Sequence, residues 1–242
     1  MKIVGLIPAR FGSVRFPGKP LALLAGRPMI QHVWEGARAA HRLDAVVVAT
    51  DDARIADAVR SIGGEAVMTS PSAASGTDRL AEAARSVRAD AYVNIQGDEP
   101  LMSGENVDRV VEALLARGDR RIATLACPLP ADLAGSPNVV KVVAAEDGRA
   151  LYFSRSPIPF FRDGAPSYRK HLGIYAYRAE TLQEIAALPP SPLERAESLE
   201  QLRWLEAGYA IWLGEALGDS IGVDTPADLE EVAVRLKKEV AP

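Results

Sequence analysis

Short, almost unbroken apolar runs alternate with amphipathic stretches of about ten residues through the first half of the chain, and few folds accept that alternation. Residues 3–7 (IVGLI), 45–50 (AVVVAT), 65–68 (EAVM), 91–95 (AYVNI) and 121–127 (RIATLAC) read as strands. Strands this apolar must be covered on both faces. Between them, residues 28–41, 52–62, 77–87 and 105–116 carry helical patterning, with Pro28 opening the first and Gly63–Gly64 ending the second. The expectation is an α/β fold with a mainly parallel central sheet. At 242 residues, one large α/β domain with an insertion is the expected organisation.

The rhythm changes after Pro128. NVVKVVAAEDGRALYFSR reads as two strands joined around Asp147–Gly148, and YRKHLGIYAYR alternates as another strand. Residues 129–178 therefore form a β-rich insertion, with Pro-rich loop between its strands. Ser198–Glu206 is expected to be helical, YAIWLGE a strand, and Thr225–Lys238 a closing helix with Pro226 in its first turn.

Five of the 28 bases and none of the 32 acids fall within residues 1–34, leaving the remainder at −9. A local positive segment on an acidic chain points to a small anion rather than to nucleic acid. Arg10, Arg15 and Lys19 share the loop IPARFGSVRFPGKPL directly after the first strand. Open α/β sheets bind their ligands at that edge, and a polyphosphate is the natural candidate. Yet five residues separate Gly12 from Gly18 and Pro20 follows Lys19, so this is not a Walker A loop; G-x-G-x-x-G is also absent. Arg10 and Arg15 suit bidentate contact with phosphate and Lys19 a mobile point charge. The alternative is a solvated basic turn.

NIQGDEP ends a strand with Gln96, Asp98 and Glu99 at the same sheet edge. A carboxylate beside a phosphate site suits Mg²⁺, which takes one or two protein carboxylates plus phosphate oxygens; the competing role for Asp98 or Glu99 is to cap the next helix. Asp224 repeats the pattern in GVDTPADL and is either a ligand or an N-cap. In SGTDR, Ser75 and Arg79 could reach a ligand while Thr77 or Asp78 caps a helix. His171 and Tyr175, four apart on one strand, share a face. His171 is a possible donor to substrate or a structural histidine, and Glu200 and Gln201 are functional or a solvated helix face. Cys127 is the one cysteine, which leaves no disulfide framework and reads as a buried thiol in a reducing compartment. The start of the chain lacks the h-region of a signal peptide, and no apolar run approaches ~20 residues. A cytoplasmic enzyme, bound to neither membrane nor nucleic acid, is expected.

IPARFGSVRFPGKPL, SGTDRLAEA, NIQGDEPL, ALYFSRSPIP, HLGIYAY, LEQLRWLE and GVDTPADLE stand in the order and spacing of one family, and the chain resembles the 3-deoxy-manno-octulosonate cytidylyltransferases, or CMP-Kdo synthetases, from end to end. The resemblance implies a Rossmann-like nucleotidyltransferase of one domain, residues 1–242, whose β-rich insertion at 129–178 serves substrate binding and dimerisation. It implies the reaction of CTP with the eight-carbon acid sugar Kdo to give CMP-Kdo and pyrophosphate, for lipopolysaccharide biosynthesis. Pro8, Ala9, Arg10, Ser13, Arg15, Lys19, Ser75, Arg79 and Asp98 would bind the nucleotide. Lys19, Arg10, Arg15, Asp98 and Asp224 would carry catalysis, with Asp98 and Asp224 holding Mg²⁺. Gln96, Arg155, His171, Tyr175, Glu200 and Gln201 would contact the sugar, and a homodimer is implied. Phe16 stands where Leu is common, and Ala73 where His is often seen.

Three rivals remain from sequence: a cytidylyltransferase for sialic acid or an amino analogue of Kdo, a Rossmann-type oxidoreductase, and a silent nucleotide-binding protein. The missing G-x-G-x-x-G weighs against the second.

Overall fold

The structure is a computed structural model, and it describes residues 1–12, 15–73 and 75–240, with the side chains of 237–240 left out. The chain divides into two compact units, Met1–Asp108 with Ser220–Pro242, and Arg109–Asp219.

The first unit is the parallel sheet expected from the sequence. Its strands are β1 (Ile3–Ala9), a short hairpin β2 (Leu23–Leu24) and β3 (Arg27–Pro28), then β4 (Ala45–Thr50), β5 (Glu65–Met68) and β6 (Ala91–Asn94). Strands β6, β1, β4 and β5 lie side by side in that order, all parallel, with Leu6 opposite both Val47 and Asn94. Helices α1 (Met29–Arg38), α2 (Ala53–Ser61) and α3 (Gly76–Ala83) connect them. Val4, Leu6, Ile7, Val48, Ile55, Val59, Leu80 and Val93 have no exposed surface. Burying such a side chain contributes about 1.5–3 kcal/mol.

Helix α1 starts one residue later than its pattern suggested, because Pro28 is extended and stands as the N-cap. Helix α3 ends at Ala83 rather than Val87, the last residues closing as turns. The chain passes to the second unit within α4 (Gly104–Leu115).

In the second unit, β7 (Ile122–Leu129) is followed by the hairpin β8 (Lys141–Ala144) and β9 (Ala150–Ser154), which turns at Asp147–Gly148 as expected. Strand β10 (Tyr168–Arg178) runs antiparallel to β7 and meets β8 at Lys170–Lys141. Helices α5 (Ala179–Ala186), α6 (Pro192–Glu197) and α7 (Gln201–Glu206) precede β11 (Ile211–Glu215), which pairs parallel with β7. The helix expected over Ser198–Glu206 begins only at Gln201, and α6 before it was not expected; the two are separated where Ser198 adopts φ 51°. Residues 129–178 lie wholly in this unit, together with three helices.

The first unit is completed by α8 (Pro226–Val240). Val223 and Val232 pack with Leu24 and Met29, and Phe16, Leu101 and Leu229 close around them. A Phe at position 16 therefore serves as apolar filling at the root of the basic loop. No helix among the described residues is long and apolar enough to cross a membrane.

Candidate active site

Two glycines set the shape of the sheet's ligand edge. A Cβ on Gly97 would stand 2.4 Å from the Pro8 carbonyl oxygen, so only glycine lets the segment after β6 lie against the end of β1. Gly18 has φ 70°, a left-handed conformation that glycine adopts without strain. Its N–H donates to the Phe11 carbonyl at 2.9 Å, closing the basic loop on itself. Phe11 is held in turn by its own N–H on Asp51 Oδ1 (3.3 Å), and the Arg54 guanidinium lies 3.6 Å from its ring centre.

The closed loop delivers Lys19 to the middle of a charged cluster. The lysine is buried, and its Nζ donates to Asp98 Oδ2 at 2.8 Å, to the Val223 carbonyl at 2.7 Å and to Asp224 Oδ1 at 3.4 Å. Val223 N–H also donates to the Asp98 carbonyl at 2.8 Å, which pins the two acidic segments together. Arg15 Nη2 lies 3.1 Å from Asp224 Oδ1, although the arginine side chain is 67% exposed. Arg10 is exposed and has no acidic partner among the described residues. Ser13 lies outside the described residues.

Neither aspartate is a helix cap. Thr225 Oγ1 accepts from Asp228 N–H, while the Asp228 carboxylate accepts from Asp224 and Thr225 N–H groups, so α8 is capped by Thr225 and Asp228. Burial works to raise the Asp228 carboxyl pKa, but the Asp224 and Thr225 N–H groups, the Thr225 side chain and the nearby Arg15 charge together hold it below the usual range. Ser103 Oγ accepts from Asn106 N–H at the start of α4, leaving Asp98 free of that duty. Both site carboxylates point at one cation.

These groups line a cavity of about 320 Å³ together with Pro8, Ala9, Arg10, Ala73, Ser75, Gly76, Arg79 and Gln96, a size usual for small-molecule sites. Ser75 is also the N-cap of α3, and the Asp78 carboxylate accepts from the Ser75 N–H in return, so Asp78 shares the cap and Thr77 does not. Arg79 is deeply buried. Its guanidinium is committed to Asp51 Oδ2 (3.0 Å) and Thr69 Oγ1 (2.6 Å), and it fixes the cavity wall from behind. Asp51 is the residue that sequence reasoning missed, because its partners Arg79 and Phe11 lie 28 and 40 positions away.

The donor set suits a hard cation. Asp98 and Asp224 both reach one ammonium nitrogen, so an ion there could touch both carboxylates. Among the described residues no group of three or more His, Cys, Asp or Glu side chains is arranged to hold a metal. The pair would therefore need ligand oxygens and water to complete a shell, as Mg²⁺ sites at phosphates do.

The remaining sugar candidates belong to the second unit, where His171 and Tyr175 sit in one aromatic cluster. The His171 ring meets Phe153 at 4.9 Å and Tyr175 at 5.4 Å, and Tyr175 stands edge-on to Trp204 of α7 at 5.1 Å. A bulge between Leu172 and Tyr175 is filled by the Thr124 hydroxyl, which donates to the Ile174 carbonyl at 2.6 Å. With its hydrogen used there, Thr124 Oγ1 can only accept from His171 Nε2, 3.0 Å away, which makes Nε2 the protonated nitrogen of a neutral ring. Burial, with Lys170 adding to it, lowers the His171 pKa to about 3. The Tyr175 hydroxyl is buried without a partner among the described residues, and burial raises its pKa well above the usual value. Gln201 is buried in the first turn of α7, with Glu200 just before it. Bidentate pairing of Arg203 with Glu194 (2.7 and 2.6 Å) joins α7 to α6.

A parallel sheet whose ligand edge carries a basic loop and two converging carboxylates defines the nucleotidyltransferase class. Known proteins agree. A family model described as cytidylyltransferase matches residues 4–213. A protein of Syntrophobacter fumaroxidans named 3-deoxy-manno-octulosonate cytidylyltransferase is 56% identical, covering 96% of each chain. One of the same name from Geobacter sulfurreducens is 50% identical over 98% of this chain and 100% of its own. The chain belongs to the cytidylyltransferase family, within the group of the 3-deoxy-manno-octulosonate cytidylyltransferases.

Among solved structures, a CMP:2-keto-3-deoxy-manno-octonic acid synthetase complexed with CTP superposes with a TM-score of 0.96 at 47% identity, over 99% of this chain and 100% of the other. A cytidylyltransferase from Leptospira borgpetersenii shares the fold at a TM-score of 0.67 and 18% identity, over 100% of this chain and 89% of the other.

Proposed function

We propose that the protein activates Kdo with CTP, giving CMP-Kdo and pyrophosphate. The observation that carries this reading is the cavity in which Lys19, Asp98 and Asp224 converge beside Arg10 and Arg15, in a chain whose relatives are named for this reaction. The 2-hydroxyl oxygen of the sugar attacks the α-phosphorus and the bond to the bridging oxygen of the β-phosphate breaks. The sugar hydroxyl proton passes to solvent, and pyrophosphate leaves with the bond's electron pair. Charge builds on that leaving group, and Arg10, Arg15 and Lys19 are the groups that offset it. Asp98 and Asp224 would hold Mg²⁺, which supplies charge neutralisation and alignment at the phosphates when bound. Pro8, Ala9 and Ser75 frame the nucleotide; Gln96 in the first unit, and Arg155, His171, Tyr175, Glu200 and Gln201 in the second, are each assigned to the sugar. With His171 neutral, its part is to orient a hydroxyl rather than to pair with the sugar carboxylate.

The reading extends to a cytoplasmic homodimer that supplies lipopolysaccharide assembly. Phe160, 89% exposed, and the exposed Leu151 of the second unit are apolar surface for such contact, and sedimentation of the purified chain tests it. The activity is tested by pyrophosphate release with CTP, UTP, ATP and GTP against Kdo, its amino analogue and sialic acid, with Mg²⁺ present. The expected result is a strong preference for CTP with Kdo, since a site that pairs with the cytosine amino group leaves a polar group unpaired on uracil. Equal rates with CTP and UTP, or faster reaction of sialic acid, would overturn the assignment.

A further inference from the structure

Lys141 is fully buried, and none of its hydrogen bonds goes to a carboxylate. Its three ammonium hydrogens are matched by three carbonyls: Ser136 at 3.0 Å, Val139 at 2.6 Å, and Arg155. Desolvation of an ammonium costs several kcal/mol unless its donors are satisfied, so the charge is there to hold these carbonyls in place.

The carbonyls come from the loop before β8 and from the residue just after β9, and a second layer extends the assembly. Arg155 spends its guanidinium on further carbonyls, with Nε on Glu197 (2.7 Å), Nη1 on Pro137 (2.8 Å) and Nη2 on Ser198 (3.3 Å). The Glu197 carboxylate accepts from Ser154 Oγ at 2.6 Å and from Arg155 N–H at 2.9 Å. Lys141, Arg155 and Glu197 thus lock residues 136–139, 154–155 and 197–198 together. The lock ends at Ser198, whose left-handed backbone turns the chain into Glu200 and Gln201. His171 N–H donates to the carbonyl of Val140, the neighbour of Lys141, at 2.9 Å. Arg155 forms no ion pair with a carboxylate among the described residues, so its charge stays available to an acidic ligand.

We propose that Lys141 and Glu197 are positioning residues for the acid-sugar site: they fix Arg155 and the 198–201 segment so that a cation held only by carbonyls faces the sugar carboxylate. This rests on the reading that Arg155, Glu200 and Gln201 contact the sugar. Lys141→Met keeps the length of the stem and removes the ammonium; Glu197→Gln removes the charge and one acceptor.

The experiment measures KM for Kdo and for CTP separately in Lys141→Met, Glu197→Gln, Arg155→Ala and the Lys141→Met/Arg155→Ala double variant. Lys141→Met should raise the Kdo KM by about tenfold or more and leave the CTP KM within about twofold, with Glu197→Gln in the same direction. The double variant should be no worse than Arg155→Ala alone, the coupling expected of residues that act through one another. A normal Arg155→Ala effect beside a wild-type Kdo KM in Lys141→Met, an additive double variant, or an equal rise in both KM values would overturn the inference alone. An unchanged Kdo KM in Arg155→Ala would overturn the underlying reading and the inference with it. Should Lys141→Met fail to fold, Glu197→Gln carries the same selective rise, and its absence is equally fatal.

Discussion

The ammonium of Lys19 donates to the carboxylate of Asp98 at 2.8 Å, across 79 positions of sequence. The same nitrogen reaches Asp224, so one buried cation joins the basic loop after β1, the edge of β6 and the approach to α8. The two carboxylates are balanced by Lys19 and Arg15. A polyphosphate brings negative charge that competes for these cations, and a divalent ion would take their place beside the aspartates.

Lys19→Met should lower kcat/KM by about 10²-fold or more, roughly 3 kcal/mol of transition-state stabilisation. Methionine keeps the length of the stem and removes the ammonium with its bonds to Asp98, Asp224 and the Val223 carbonyl. Pyrophosphate release measured against CTP concentration checks this, and near wild-type rates would take Lys19 out of the phosphate site.

Asp224→Asn should leave stability nearly unchanged and lower kcat/KM by about 10²-fold or more, because the cap of α8 is made by Thr225 and Asp228 instead. Thr225→Ala should do the opposite to stability, costing about 1 kcal/mol as a lost N-cap. Urea unfolding of both variants alongside their rates separates the roles. A folded Asp224→Asn enzyme with wild-type turnover would remove Asp224 from the site.

The contrast between Asp224 and Thr225 shows how legible this site was. The strand-then-acid pattern placed Asp98 at the ligand edge of a parallel sheet, because strand polarity alone decides which end meets the ligand; the short strand expected before Asp224 is absent, and that residue stands in the irregular segment leading into α8. Whether Asp224 was a cap stayed open, although T-P-A-D carried the reciprocal capping pattern that assigns the cap to Thr225. The same pattern in S-P-L-E marks α6, which the periodicity of a six-residue helix is too short to reveal. Asp51 and Lys141 were invisible for a different reason. Their meaning lies in distant partners and backbone carbonyls, and neither leaves a mark on local composition.

Arg79→Ala should act first on stability. The Arg79–Asp51 pair is almost wholly removed from water, with side chains 3% and 14% exposed. Truncating one partner leaves the other's charge uncompensated, a loss of about 3–5 kcal/mol. The Phe11 N–H bond to Asp51 should loosen with it, raising the KM for CTP as a consequence. Chemical denaturation checks the order of effects. An Arg79→Ala protein of wild-type stability with a raised CTP KM would make Arg79 a direct ligand contact instead.

His171 should make stability depend on pH in a fixed direction. Its pKa is about 3 in the folded protein, because burial disfavours the charged ring, against 6.5 when exposed. Between those values the unfolded chain binds the extra proton. The stabilisation is therefore fully present above about pH 6.5 and drains away as pH falls toward about 3. From pH 7 to pH 5 this one group should cost about 2 kcal/mol. His171→Gln keeps an N–H donor for Thr124 without a titrating ring, and its unfolding free energy should fall less over the same interval by about that amount. Urea titrations of both proteins at pH 7, 6 and 5 measure the difference. Parallel curves would mean that His171 takes up its proton while folded, and that its ring is open to water rather than largely buried beside Phe153, Tyr175 and Thr124.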